Sequence, residues 1–365
     1  MSAHRLSQPA RRAQRGFSLI EILVAMVIAM IAVVIMMEVL LNSDQRTRTS
    51  NAGNDALGTG AVMLHMLRRD VQQAGYGINT INLLGCSLTV PSGAAVPLAP
   101  VVINPPAALV PAGDANTDTM IVIYGNANGQ PEGNSVTGQD AALKQYTVQS
   151  PSVFAQDDYV IAYTGSCGAA LGLERVTDVA SLTVTVNPFD ATTATLYNLG
   201  PNPRIVAYAV HDGQLTSCDF MAADCRVYNA ANWTAVAGGV VSLRAQYGRD
   251  TAATGSMDGA VDVWDQTTPS VLPAPAPSLQ CQWARIPAVR FALVARSSQY
   301  ETRFNTTTGQ RECDPVTTAA PTWLGSTGDP VDLSADADWQ CYRYKTLQTV
   351  APSRNIVWMG SQAGC

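Results

Sequence analysis

From Ile22 to Met37 every residue is apolar, and Val39, Leu40 and Leu41 carry the run past Glu38. With Phe17, Leu19 and Ile20 it is long enough to cross about 30 Å of hydrocarbon as one helix, a membrane-helix candidate. Arg5, Arg11, Arg12 and Arg15 precede it, and no acid lies among residues 1–16. By the positive-inside rule the N-terminus stays in the cytoplasm and the remainder is exported. A cleavable secretory signal would end a shorter core at a small-x-small site, whereas this core runs into Glu38 and a polar continuation. Glu21 resists the plain anchor reading. A carboxylate in a spanning segment costs on the order of 2.5–3.5 kcal/mol at the helix centre, less near an end. Either it snorkels to the interface or it answers a partner.

The four leader arginines carry +4 of a chain whose net charge is −6, so the remainder stands at −10. That acidic body lacks the electrostatic footprint of a nucleic-acid binder. Over the whole chain a hydrophobic content of 47% with 14% charge indicates a folded protein with sizeable cores.

All eight cysteines, Cys86, Cys167, Cys218, Cys225, Cys281, Cys313, Cys341 and Cys365, follow the apolar segment, and none forms a C-x-x-C pair. With three histidines in the chain, a zinc site is poorly supplied. An even number on the exported side reads as disulfides in an oxidising compartment such as a bacterial periplasm, the alternative being buried thiols. Sequence leaves on the order of a hundred connectivities. Cys218 with Cys225 closes a short loop, and Cys313 with Cys341 flanks an excursion between strand-like stretches; Cys86 with Cys167 and Cys281 with Cys365 follow by elimination.

The stretch RGFSLIE, Arg15 to Glu21, resembles the class III signal of type IV prepilins: a basic leader ending in Gly16, then Phe17, then a glutamate fifth in the mature chain. The resemblance implies that a membrane prepilin peptidase cuts between Gly16 and Phe17 on the cytoplasmic side. It implies N-methylation of Phe17, and pairing of Glu21 with the amino terminus of Phe17 in a neighbouring subunit during assembly. A buried pair of that kind specifies register more than it adds stability. Downstream, LRRDVQQAGYG, LYNLG, the stretch from Val236 to Trp264, ARIPAVRFALVARS and YRYKTLQTVAPSRNIVW resemble, in order, the PilW-like minor pilins.

The expected fold is α+β, a pilin-like long N-terminal helix packed on a large antiparallel β-rich head. Its expected parts are a leader peptide (1–16), a transmembrane and assembly helix (17–41), an amphipathic continuation (42–77) and a periplasmic head (78–365). Leu57, Ala61, Leu64, Leu67, Val71 and Ala74 recur at steps of three and four and predict one apolar stripe, which Gly75 and Gly77 stop. At about 1.5 Å per residue a helix from Phe17 to Gly75 approaches 90 Å, with Gly53, Gly58 and Gly60 as sites of bending. Arg68, Arg69 and Asp70 read as a solvated face, and Met26, Met30, Met36, Met37, Met63 and Met66 as apolar packing.

Beyond Gly77, strands are expected within Thr119–Gly125, Asp157–Gly165, Ser181–Pro188 and Pro203–Leu215, the last with an Asp212-Gly213 hairpin turn. Val241, Leu243, Ala245 and Tyr247, then Val289, Phe291, Leu293 and Ala295, alternate with other residues and predict strands with one face on a core. The proline-rich stretches from Pro91 to Pro111 and from Thr267 to Ser278 read as exposed loops or polyproline stretches.

No enzyme is indicated. His4, His65 and His211 fit no Ser-His-Asp or Cys-His arrangement, and there is no G-x-S-x-G or P-loop. No cofactor is expected. Asp250, Asp258, Asp262 and Asp265 could offer calcium oxygen ligands, without EF-hand spacing. The resemblance implies a minor pilin that helps initiate type IV pilus assembly and sits at or near the tip, supporting adhesion or twitching motility. Its partners would be prepilin peptidase, other minor pilins, the major pilin, a tip adhesin, and inner-membrane lipid before assembly, with no nucleic acid. The alternatives are a type II secretion pseudopilin, or a pilus-tip receptor for DNA or a surface ligand.

Overall fold

The computed structural model describes residues 18–127, 132–253, 257–273, 276–325, 330–362 and 364–365. Two compact units divide the chain, residues 1–51 and 52–365. Helix α1 (Leu19–Gln73) contributes to both. In the first unit its segment Leu19–Leu41 has a mean hydropathy of 3.0 and buries none of it, so by length and composition it is able to cross a membrane.

The second unit holds the end of α1 and the β-rich head. Its first strands are β1 (Ser87–Thr89), β2 (Ala95–Pro97), β3 (Val101–Ile103), β4 (Met120–Tyr124), β5 (Asn134–Asp140) and β6 (Gln145–Val148). Then come β7 (Tyr159–Tyr163), β8 (Leu171–Ala180), β9 (Thr183–Asn187), β10 (Thr195–Gly200), β11 (Arg204–His211), β12 (Gln214–Asp219) and β13 (Thr234–Gly238). The chain continues with β14 (Val240–Arg249), β15 (Val263–Asp265), helix α2 (Leu279–Ala284) and β16 (Ala288–Arg296). It closes with β17 (Thr302–Phe304), β18 (Arg311–Cys313), β19 (Tyr344–Pro352) and helix α3 (Arg354–Val357).

Six of these strands close on themselves. In the order β8-β7-β10-β5-β6-β9, the last pairs back with the first, making a small barrel between β4 and β11 in the chain. Its interior positions alternate along the strands and supply Tyr146, Val148, Val160, Val176, Val184, Val186 and Leu196 to a separate core. Strand β1, itself paired to β2, joins the start of β8 in parallel. A five-stranded sheet (β13-β12-β11-β4-β3) and a four-stranded sheet (β15-β14-β16-β19) share the main core with α1.

The side of α1 that meets the head matches the expected stripe at Leu67, Val71 and Ala74, with Leu64 partly buried against the core, and departs from it at the earlier positions. Ala56, Met63, Leu67, Val71 and Ala74 are buried, while Leu57 and Ala61 face solvent. The helix comes close to the sheet at Gly60, where a Cβ would lie 2.6 Å from Leu347 Cδ1 and 3.3 Å from Ala295 Cβ, so a larger residue there would have to displace the end of the Leu347 side chain. Gly60 is therefore a packing residue; the helix assignment runs unbroken through it. The helix ends where the glycines stand, with Gly75 and Gly77 at φ +85° and +81°. The Asn355 amide donates to the carbonyls of Gln73 and Ala74, at 3.0 Å each, and satisfies the helix terminus.

Asp70 is not part of a solvated face. Tyr124 on β4 donates to its Oδ1 at 3.1 Å and Tyr208 on β11 donates to its Oδ2, so the carboxylate ties α1 to the five-stranded sheet. Burial, then the neighbouring carboxylate, pushes the Tyr124 phenol up to about 12 and the Tyr208 phenol up as well. Asp70→Ala leaves both phenols without this acceptor and is expected to cost about 2–4 kcal/mol in chemical denaturation of the detergent-solubilised chain, Asp70→Asn less.

Two further expectations are revised. The stretch from Pro91 to Pro111 is not an exposed loop, since it forms β2 and β3 and buries Leu98, Ala99, Val101, Val102 and Ile103. Strand β16 is covered on both faces, because Trp323, Val331 and Leu333 pack on Ala292 and Val294. In β14 a register shift between Val240 and Ser242 moves the alternation, burying Ser242 and leaving Val241 half-buried.

Candidate functional site

Ser18, Leu19, Ile20 and Glu21 open α1, and their geometry gives Glu21 a local role. The backbone N–H of Ser18 donates to Glu21 Oε2 at 3.0 Å, while that of Ile22 donates to the Ser18 carbonyl at 3.2 Å. This is one arm of a capping box, a serine at the N-cap answered by an acid at the third helical position. The sequence signal is S-x-x-E before an apolar run, and reasoning from membrane cost alone overlooked it. A carboxylate here also meets the positive end of the helix dipole. Around it the segment is bare: Leu19 is 82% and Ile20 66% exposed, and every apolar side chain to Leu41 remains uncovered within the chain. Such a surface requires lipid or other apolar helices against it. Gly16 and Phe17 lie outside the described residues.

The head holds the other residues singled out in the sequence. The structure joins Cys218 to Cys225, Cys313 to Cys341, Cys86 to Cys167 and Cys281 to Cys365. The first closes β12 onto its own turn, and the last ties α2 to the C-terminal residue. The four loop aspartates serve different partners. Asp250 is buried, 3.5 Å from Arg285, and its Oδ2 accepts the N–H groups of Asp258 and Gly259 at 3.0 Å each. Asp258 accepts from Ala260, Asp262 accepts from Thr251, and Asp265 pairs with Arg249 at 2.7 Å. Their carboxylates thus order the loop, and among the described residues no group of three or more His, Cys, Asp or Glu side chains could hold a metal ion. His65 is exposed on α1, whereas His211 is buried, stacked on Tyr228 with ring centroids 3.9 Å apart, and burial lowers its pKa.

Two family models match the chain. The prokaryotic N-terminal methylation motif matches residues 11–37, and type IV pilus-assembly protein W matches residues 207–355. Together they are the matches of a PilW-like pilin with a class III leader. No significant match was found among curated proteins or among solved structures. The methylation motif covers Arg11 to Gly16, Glu21 and most of the bare helix; the second match begins within β11 and ends within α3. It therefore takes in the four-stranded sheet and leaves out the barrel. This pilin-like protein is related to type IV pilus assembly, a structural role, and the motif implies processing by prepilin peptidase and assembly with other pilins. The apolar helix with its leader motif fits an inner-membrane anchor.

Proposed function

We propose that the chain is a minor pilin that helps initiate type IV pilus assembly and occupies a position at or near the fibre tip, supporting adhesion or twitching motility. Residues 1–16 act as the leader, 17–41 as the membrane and assembly helix, 42–77 as its continuation, and 78–365 as a periplasmic head later displayed on the pilus. The observation that carries the reading is the pairing of a methylation-motif helix, bare of intramolecular contacts, with a head of two larger sheets, a β17–β18 pair and an inserted barrel. A head of 288 residues is about twice the commonest domain size, and that bulk packs most easily where the fibre has no further neighbour above it. Its acidic character, with Lys144 and Lys345 as its lysines, favours protein partners over nucleic acid. The partners are prepilin peptidase, the other minor pilins, the major pilin and a tip adhesin.

Processing is the first test. N-terminal sequencing of the membrane-extracted protein from a peptidase-positive host is expected to begin at N-methylated Phe17; a start at Met1 or Ser2 would contradict the reading. Immunogold labelling should then mark fibre ends. Even labelling along the shaft at major-pilin abundance would overturn the tip position, recovery only with secretion machinery would make it a type II pseudopilin, and tight salt-sensitive DNA binding would make it a receptor.

A further inference from the structure

Strand β19 is an outer strand of the four-stranded sheet, and it pairs with β16 over nine consecutive residues without a register shift. The Ser297 N–H donates to the Arg343 carbonyl and the Ser353 N–H to the Pro287 carbonyl, which fixes the phase of the ladder. Odd-numbered residues of β19 therefore bond to β16. The backbone groups of Tyr344, Thr346, Gln348 and Val350 point outward, and among the described residues they have no backbone partner. Proteins usually blunt such an edge with a bulge, a charge or a proline. Here Lys345 is the one charged residue in the strand, and Pro352 stands at its end. The other outer strands, β2, β3, β13 and β15, have three to five residues.

The surroundings of this edge are apolar. Val350 is 43% exposed, and Leu324, whose N–H donates to Gln348 Oε1 at 2.8 Å, is 64% exposed. On the other face Leu347 packs at Gly60 of α1, and about one turn before Gly60 that helix presents Leu57 to solvent. The edge strand thus packs on the helix that carries the pilin motif, next to an exposed apolar position. A subunit that covers that position is brought beside β19.

We infer that the outer edge of β19 is a strand-addition site for a neutral edge strand of another, different pilin subunit. Four outward N–H groups spaced about 6.8 Å apart, with their carbonyls, match the backbone of one extended partner strand, which supplies the complementary ladder. This inference rests on the reading of the chain as a subunit among other pilins.

The test uses the full-length chain co-expressed with its companion pilins. Thr346→Pro removes an outward N–H without touching the β16 ladder, so the variant should be processed, inserted and thermally stable as before. Its recovery with the companion pilins is expected to fall about tenfold or more, while Thr346→Val, which keeps the N–H, matches wild type. Amide exchange provides a second readout: Thr346, Gln348 and Val350 should exchange rapidly in detergent and slowly in the assembled complex. Unchanged recovery of Thr346→Pro together with unchanged exchange overturns the site. A photo-crosslinker at Lys345 should capture a companion pilin, and capture of a second copy of the chain would overturn the assigned occupant. If Glu21→Gln fails to assemble while Thr346→Pro assembles normally, the edge is wrong and the pilin reading stands. If the wild-type chain itself is not recovered with its companion pilins, the pilin reading falls as well.

Discussion

Glu21→Gln is expected to leave the protein inserted, processed and folded while reducing its incorporation into fibres by on the order of a hundredfold or more. The magnitude follows from breaking one buried ion pair by removing a partner, about 3–5 kcal/mol. The choice of glutamine matters. In the structure the Glu21 carboxylate already accepts the Ser18 N–H, and a glutamine side-chain oxygen accepts that bond equally well. The amide therefore preserves the helix start and removes only the charge that would answer the amino terminus of Phe17 in a neighbour. Glu21→Ala removes both roles. If Gln incorporates like wild type and Ala fails, Glu21 is a capping residue and the intersubunit pair is wrong. Incorporation measured from sheared fibres, normalised to processed protein in the membrane, separates the cases.

The capping box also shows how sequence reasoning can read a residue correctly as exceptional and still overlook part of its chemistry. Local signals were legible where one residue decides a conformation: Gly75 and Gly77 at the helix end, or Asp212-Gly213 between β11 and β12, both in the left-handed region. The strands around Val122, Ile161 and Val206 were legible for the same reason, since their apolar runs are short and bounded by turns. What remained hidden was set by distant partners. On α1 Ala56 and Met63 are buried in place of Leu57 and Ala61, a difference set by contact with the head, where Gly60 meets Leu347, 287 residues away. Asp70 looks solvated beside Arg68 and Arg69 until Tyr124 and Tyr208 reach it from another layer. Closure of the barrel depends on β9 reaching back to β6 and β10 back to β5, pairings to which no local pattern points.

Inside that barrel lies the residue least visible in the sequence. Glu174 sits on β8 with Val176 as its same-face neighbour, 1% exposed, and Tyr146 donates to its Oε1 at 3.0 Å. Among the described residues its Oε2 has no hydrogen-bond partner. Burial, moderated by the Tyr146 hydrogen bond, pushes the carboxyl from 4.5 up to about 8, and the charge of Asp190 adds to the rise. The folded protein thus holds a neutral Glu174 at pH values where the unfolded chain has already ionised it. Because the folded form binds the extra proton, the stabilisation is complete below about pH 4.5 and is lost as pH rises toward about 8, at up to about 1.4 kcal/mol per pH unit. Above that window the barrel carries a buried charge. Glu174→Gln keeps an acceptor for Tyr146 and cannot ionise, so its cost at pH 5 should be small, and by pH 9 the variant should be the more stable of the two. Denaturation midpoints of the full-length proteins across pH 5–9 measure this directly, and parallel curves would mean that Glu174 ionises in the barrel as readily as in water.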